Sequence, residues 1–311
     1  MPRRSTLRPL ILCFVLFACA AHTVARTSAD GVRHDLLIST DVLASQLDER
    51  VVLHVGDAES YAAGRIPGAR HVPWSAIAVE RDGIPGEFPP FEALVETFRR
   101  LGVGDGDRVV VYDTTRGIPA TRAFLAFDLL GLGDQVALLD GQLAKWLAEG
   151  RPVEQGAAEK PIAAASLSVE PQPERLVAHD TLRRRIAEGL GAALVDARSA
   201  AEYDGSAPGN GIDPERGGHL PGAEHLFWGD HLAEGQLPVL APVETLRRRF
   251  AAIGVDAGDP VVTYCRTGGK ASHTYFVLRF LGHEDVAMYD GSFIQWQADA
   301  EAPVVRGSDP E

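Results

Sequence analysis

Cys265 follows the apolar run Val261-Val262-Thr263-Tyr264 and precedes Arg266-Thr267-Gly268-Gly269-Lys270-Ala271-Ser272, so a strand-forming segment leads straight into a sulfur. The thiolate is the attacking form of cysteine, and a helix N-terminus with neighbouring cations lowers a cysteine pKa from about 8.5 toward 3.5–7.5. Gly268 and Gly269 lack a Cβ, which lets the chain curl and turn successive N–H groups inward as an anion nest. Arg266 and Lys270 add mobile positive charge for an anionic reactant. The pattern points to nucleophilic chemistry at Cys265 on an anion. A buried, inert cysteine is the alternative reading of the same residue.

The elements around this loop occur twice. Gly64-Arg65-Ile66-Pro67-Gly68-Ala69 returns as Gly218-His219-Leu220-Pro221-Gly222-Ala223, and Val109-Val110-Val111-Tyr112-Asp113 returns as Val261-Val262-Thr263-Tyr264-Cys265. Leu129-Leu130-Gly131 answers Phe280-Leu281-Gly282, and Asp140-Gly141 answers Asp290-Gly291, each Asp followed six residues on by a tryptophan, Trp146 or Trp296. Four landmarks in one order describe a duplication. Apolar runs predict strands at 51–55, 109–112 and 136–139 in the first copy, and at 193–195, 261–264 and 286–289 in the second. Amphipathic or continuous helical stretches fall at 91–101, 120–130, 242–253 and 270–281. Continuous apolarity suits strands covered on both faces, so each copy is expected to be an α/β domain with a mainly parallel sheet. Ligands of such sheets bind beyond the carboxyl ends of the strands, which is where Cys265 falls. Boundaries are expected at 36–153 and 174–305, with a Pro/Ala/Glu-rich linker over 154–173. In the first copy Asp113 takes the cysteine's place and Pro119 removes an N–H donor, so that copy is expected to be catalytically silent.

Residues 1–25 read as a secretory signal: Arg3, Arg4 and Arg8 precede an apolar core from Leu10 to Ala21. That core is too short for a membrane span, which needs about twenty apolar residues. Export to the periplasm is expected, with a lipid anchor at Cys19 only if Leu16-Phe17-Ala18-Cys19 serves as a lipoprotein box. Removing the segment leaves 27 basic against 43 acidic residues, a formal charge of −16. Such a chain repels nucleic acid and anionic lipid. It also leaves Cys265 as the single cysteine, where exported proteins usually carry them in disulfide pairs.

The two copies, the Asp-for-Cys exchange, Gly-His-Leu-Pro-Gly-Ala, Asp196-Ala197-Arg198 and the Cys265 loop together resemble tandem-domain rhodaneses, the thiosulfate and 3-mercaptopyruvate sulfurtransferases. The resemblance spans about residues 36–305 and implies two rhodanese-like α/β domains, the second catalytic, without cofactor or metal. It implies that Cys265 takes a sulfane sulfur from a small anionic donor, holds it as a persulfide and passes it to cyanide or a thiol. Arg198, Arg266, Thr267, Gly268, Gly269 and Lys270 are the implied substrate-binding residues. Cys265-Arg266-Thr267-Gly268 matches the thiosulfate type, whereas the Cys-Gly-Ser-Gly-Val-Thr run of the mercaptopyruvate type fails at Arg266. Thr267 stands where the vertebrate thiosulfate enzymes carry lysine, and Glu202 where both animal types carry a second substrate-binding arginine. Two alternatives remain: a mercaptopyruvate enzyme, and a carrier that delivers its persulfide to a dedicated protein. A phosphatase is disfavoured because its Cys-x5-Arg spacing meets Ala271 here, and Lys270 lacks the guanidinium fork.

Other residues read as structural. His219, His225 and His231 are expected at surfaces or turns and not as metal ligands, His273 at the domain interface, Trp146 and Trp296 in the cores. Asp196 is expected to tie loops together, and Pro67 and Pro221 to shape turns.

Overall fold

The computed structural model describes residues 30–156 and 162–310, so the expected signal segment and Cys19 lie outside the described residues. The first copy contains β1 (Leu37–Ile38), α1 (Thr40–Ser45), β2 (Val51–Gly56), α2 (Ala58–Ala63), β3 (Arg70–Pro73), β4 (Val79–Arg81), β5 (Ile84–Glu87), α3 (Phe91–Arg100), β6 (Val109–Tyr112), α4 (Ile118–Leu129), β7 (Val136–Leu139) and α5 (Gln142–Ala148). The second contains β8 (Leu176–Val177), α6 (His179–Glu188), β9 (Ala193–Asp196), α7 (Ala200–Tyr203), β10 (Ala223–His225), α8 (Val243–Ala251), β11 (Val261–Tyr264), α9 (Gly269–Phe280), β12 (Val286–Tyr289) and α10 (Ser292–Ala298).

Each copy forms a five-stranded sheet, in the orders β3-β2-β6-β7-β1 and β10-β9-β11-β12-β8, and every pairing within them is parallel. The two orders superimpose strand for strand. The central strands β6 and β11 are buried along their whole length, as their uninterrupted apolar runs require. The antiparallel β4–β5 hairpin is reduced in the second copy to a single antiparallel bridge between Leu232 and Leu240. The six predicted strands and four predicted helices appear with ends shifted by at most two residues. Sequence reading passed over the two-to-four-residue outer strands and the hairpin, which are too short to show a period.

α4 is buried nearly all round, and so is α9. Both are buried on every side because they pack between their own sheets and against each other. Phe124 meets Phe276 edge to face there, with ring centroids 4.9 Å apart. As a result one hydrophobic cluster runs from the inner face of one sheet to that of the other, while the outer faces keep separate cores. Trp146 and Trp296 anchor those outer cores, each donating its indole N–H to a proline carbonyl, Pro152 or Pro303. The connector between copies is not a free tether. Ala165 and Glu170 donate to the carbonyls of Arg99 and Leu130, laying the segment along the first copy. Among the described residues no helix is long and apolar enough to cross a membrane.

Candidate functional site

Cys265 follows the last residue of β11, and its loop opens α9 at Gly268, whose left-handed φ of 82° suits glycine. The cysteine is 2% exposed and forms no disulfide. Its backbone N–H donates to Ser292 Oγ at 3.3 Å, and that hydroxyl donates to the Tyr289 carbonyl. Ser292 reaches this position through a left-handed φ of 51°, and Gln142 does the same for Asp113 in the first copy with φ 54°. The loop is therefore pinned from the start of α10. Among the described residues, none of the N–H groups from Arg266 to Ala271 has a protein acceptor. They line the turn between Cys265 and the α9 N-terminus, the arrangement of an anion nest.

The first copy shows the same nest satisfied from within. Asp113 is fully buried, and its carboxylate accepts N–H bonds from Thr115 at 2.6 Å, Gly117 at 3.3 Å and Ala120 at 3.1 Å. Burial pushes the Asp113 carboxyl above its ordinary range, while these bonds work against that shift. A carboxylate occupies the donors that the second copy keeps for another anion.

The cations of the Cys265 loop do not stand alone. Lys270 Nζ lies 3.1 Å from Glu202 Oε2, and Arg266 Nη1 lies 4.0 Å from Oε1. Burial pushes Glu202 up, but Lys270 and the Ser199 N–H and hydroxyl outweigh it and hold the carboxyl below its ordinary range. Thr267 and Gly269 are half-buried, and Gly268 is buried.

Arg198 lies beneath the loop, held by the second copy's own carboxylate. Its guanidinium is completely buried, bonded to both Asp196 carboxylate oxygens and, at 2.7 Å, to the Gly218 carbonyl. Its charge is matched by Asp196 and it braces the turn beneath the site, while its Nη1 is buried without a hydrogen-bond partner. Asp196 ties loops together as expected. In the first copy register puts His54 and Gly56 in these two places, so the pair belongs to the second copy alone.

The first copy supplies much of the wall. A Cβ on Gly269 would lie 3.3 Å from Ile118 and 3.7 Å from Trp74, and a Cβ on Gly86 would lie 2.6 Å from the Thr267 carbonyl oxygen. Arg122, fully buried, reaches across to Asp290 at 2.8 Å and donates to the carbonyl of Gly86. Its Nη1 would be 2.8 Å from a Cβ on Gly268, so it lies directly against the loop. The contacts obey an approximate two-fold: Asp290 accepts from the Phe88 N–H, and Asp140 from the Leu240 N–H. Arg116 of the silent loop likewise packs over Trp228. Sequence reading missed Trp74, Gly86, Arg122 and Ser292. The parallel runs His71-Val72-Pro73-Trp74 and His225-Leu226-Phe227-Trp228 extend the duplication and point to the first of these; nothing local marks the others.

The histidine expectation is corrected. His219 is fully buried and stacked on Tyr203 at 3.8 Å, and His231 is fully buried between Phe250 and His273. Only His225 is partly exposed, bonding the Arg198 carbonyl. Burial drives His273 down to about 3, Arg116 adding to it, and drives His231 well below its ordinary value. His273 sits against Gly117, at the interface where it was expected.

A family model described as the rhodanese-like domain matches residues 39–149 and again 178–299. The chain is 31% identical over 290 residues to the sulfur carrier protein TtuD of Thermus thermophilus, covering 90% of this chain and 100% of that protein. It is 32% identical over 287 residues to a thiosulfate sulfurtransferase of Corynebacterium glutamicum, covering 87% and 90% of the two chains. Among solved structures, SseA of Escherichia coli, titled a 3-mercaptopyruvate sulfotransferase, superimposes with a TM-score of 0.68 at 25% identity, over 83% of this chain and 98% of that one.

Proposed function

The chain belongs to the rhodanese family in tandem form, and from that membership we propose that it is a sulfurtransferase working through a Cys265 persulfide, with thiosulfate as donor. The observation that carries this reading is the contrast between the two nests: the first spends its N–H groups on Asp113, the second leaves them free around a thiol. In the first half-reaction the Cys265 thiolate attacks the sulfane sulfur of thiosulfate. A new S–S bond forms, the old one breaks, and its electron pair leaves on sulfite. The persulfide's outer sulfur carries the negative charge, which the loop N–H groups and the α9 N-terminus are placed to stabilise. In the second half-reaction cyanide or a thiolate attacks that sulfur, and the electron pair returns to Cys265. Thiocyanate or a persulfide of the acceptor leaves, and no proton or redox partner is needed.

The silent copy takes no part in bond making; Trp74, Gly86 and Arg122 wall and brace the loop. Incubation with thiosulfate should add about 32 Da, one sulfur atom, at Cys265, and cyanide should remove it. A wild-type chain that gains no mass would sink the reading, and Cys265→Ser must gain none. The similarity to a sulfur carrier favours a second reading, in which the persulfide goes once to a dedicated protein. Steady-state turnover with thiosulfate and cyanide supports the enzyme, a single stoichiometric transfer the carrier. Residues 1–25 are read as directing export to the periplasm, which fractionation of the expressing cell checks.

A further inference from the structure

The frame of α7 does not require an acid at position 202. Glu202 occupies the third position of α7, where Ser199 caps the helix and the two side chains close a capping box. In the silent copy Asp57 caps α2 in the same way and the third position is Ser60, which is followed by Tyr61 as Glu202 is followed by Tyr203. Both tyrosines donate to the matching alanine carbonyl, Ala69 or Ala223, so the frame is the same with or without the carboxylate. In the catalytic copy Glu202 Oε2 pairs with Lys270 at 3.1 Å, and Oε1 lies 4.0 Å from Arg266. That second oxygen is buried and accepts no hydrogen bond. The chain closes over it: a Cβ on Gly209 would be 3.1 Å from Oε1 and 3.2 Å from Arg266 Nη1. The Glu202 side chain is only 10% exposed, whereas Lys270 and Arg266 keep 29% and 33%. One fixed anion thus stands behind the two side chains that offer positive charge to an incoming donor.

We propose that Glu202 is the charge-selecting residue of the donor site: it holds the loop's side-chain charge at one net positive and so weakens the binding of a dianionic donor such as thiosulfate more than that of a monoanionic one. The inference rests on the reading of Cys265 as the sulfur acceptor. Thiosulfate brings two charges and feels the carboxylate twice over, so it is turned over at a raised KM. A mercapto-acid donor brings one. At about 6 Å and an effective dielectric of about 20–40, each unit of donor charge is worth roughly tenfold to a hundredfold in binding. Arg198 does not compensate, because Asp196 already neutralises it.

The test is Glu202→Gln, which keeps the volume and the capping box and removes only the charge. The rate of the mass gain at Cys265 is followed as a function of thiosulfate, and separately of 3-mercaptopyruvate, at low and high salt. The thiosulfate-to-mercaptopyruvate efficiency ratio should rise about tenfold, through the thiosulfate KM, and the rise should shrink in high salt. Glu244→Gln, which removes an exposed acid on α8, should leave the ratio alone. Should Glu202→Gln fold poorly, Glu202→Ser installs the residue of the silent copy and is expected to shift the ratio the same way. A ratio that moves less than about twofold in a folded variant, or by the same factor in Glu244→Gln, overturns the inference and leaves the persulfide reading intact. Failure of both donors to load wild-type Cys265 overturns both.

Discussion

Arg122→Met isolates the contact through which the first copy braces the Cys265 loop. The substitution keeps the apolar stem but removes the guanidinium that bonds Asp290 at 2.8 Å, the Gly86 carbonyl at 2.5 Å and the Ile77 carbonyl at 3.3 Å. It also removes a cation lying 3.4 Å from the centroid of the Phe88 ring. What remains is the Asp290 carboxylate, 10% exposed, with the Phe88 N–H as its surviving partner. Removing one member of a buried ion pair costs about 3–5 kcal/mol, because the other charge stays behind uncompensated. Asp290 keeps one hydrogen bond, so the lower half of that range is expected, about 3 kcal/mol. Urea unfolding followed by tryptophan fluorescence measures it, with Asp290→Asn and the double variant completing a cycle. Contacting residues couple by about 0.5–3 kcal/mol, and a coupling near 2 kcal/mol is expected here. Donor KM should rise as well, since the loop backbone at Gly268 rests on Arg122. A single-variant cost below about 1 kcal/mol, or additivity within about 0.5 kcal/mol, would refute the idea that this pair joins the copies.

Three further outcomes are expected. Arg266→Ala should raise the donor KM by about tenfold, the worth of one hydrogen bond to a charged group, whereas Arg116→Ala, on the silent loop over Trp228, should change it less than twofold. Asp113→Ala should cost about 1–3 kcal/mol in unfolding experiments, because the N–H groups of Thr115, Gly117 and Ala120 lose their acceptor; an unchanged midpoint would show that water replaces it freely. The buried histidines should make the fold acid-sensitive. Burial lowers His54 to about 4, with His71 adding to the effect, and lowers His273 to about 3, both from an unfolded value near 6.5. Below pH 6.5 the unfolded chain therefore binds protons that the folded chain refuses. Their stabilisation is complete above pH 6.5 and is lost as pH falls toward 4 for His54 and 3 for His273, by up to ~1.4 kcal/mol per pH unit for each. His54, whose two ring nitrogens have no partner, can be tested as His54→Phe; stability plotted against pH should flatten, and an unaltered slope would contradict the assignment.

The sequence alone determined the duplicated α/β architecture, the place of Cys265 at the end of a central strand, and the exchange of that cysteine for Asp113 in the first copy. These are local properties: apolar runs, glycine spacing and the recurrence of short motifs survive in a one-dimensional reading because neighbouring residues set them. The charge at Glu202 was legible too, but not its partners, since Lys270 lies far along the chain from it. Only the tertiary structure decided that Arg198 is spent on Asp196, that His219 and His231 are interior, and that Trp74, Gly86 and Arg122 press on a loop well over a hundred residues away. The physical reason is the approximate two-fold that packs α4 against α9. It brings each copy's loop under the other copy's elements, and no periodicity within either copy encodes which residues then meet.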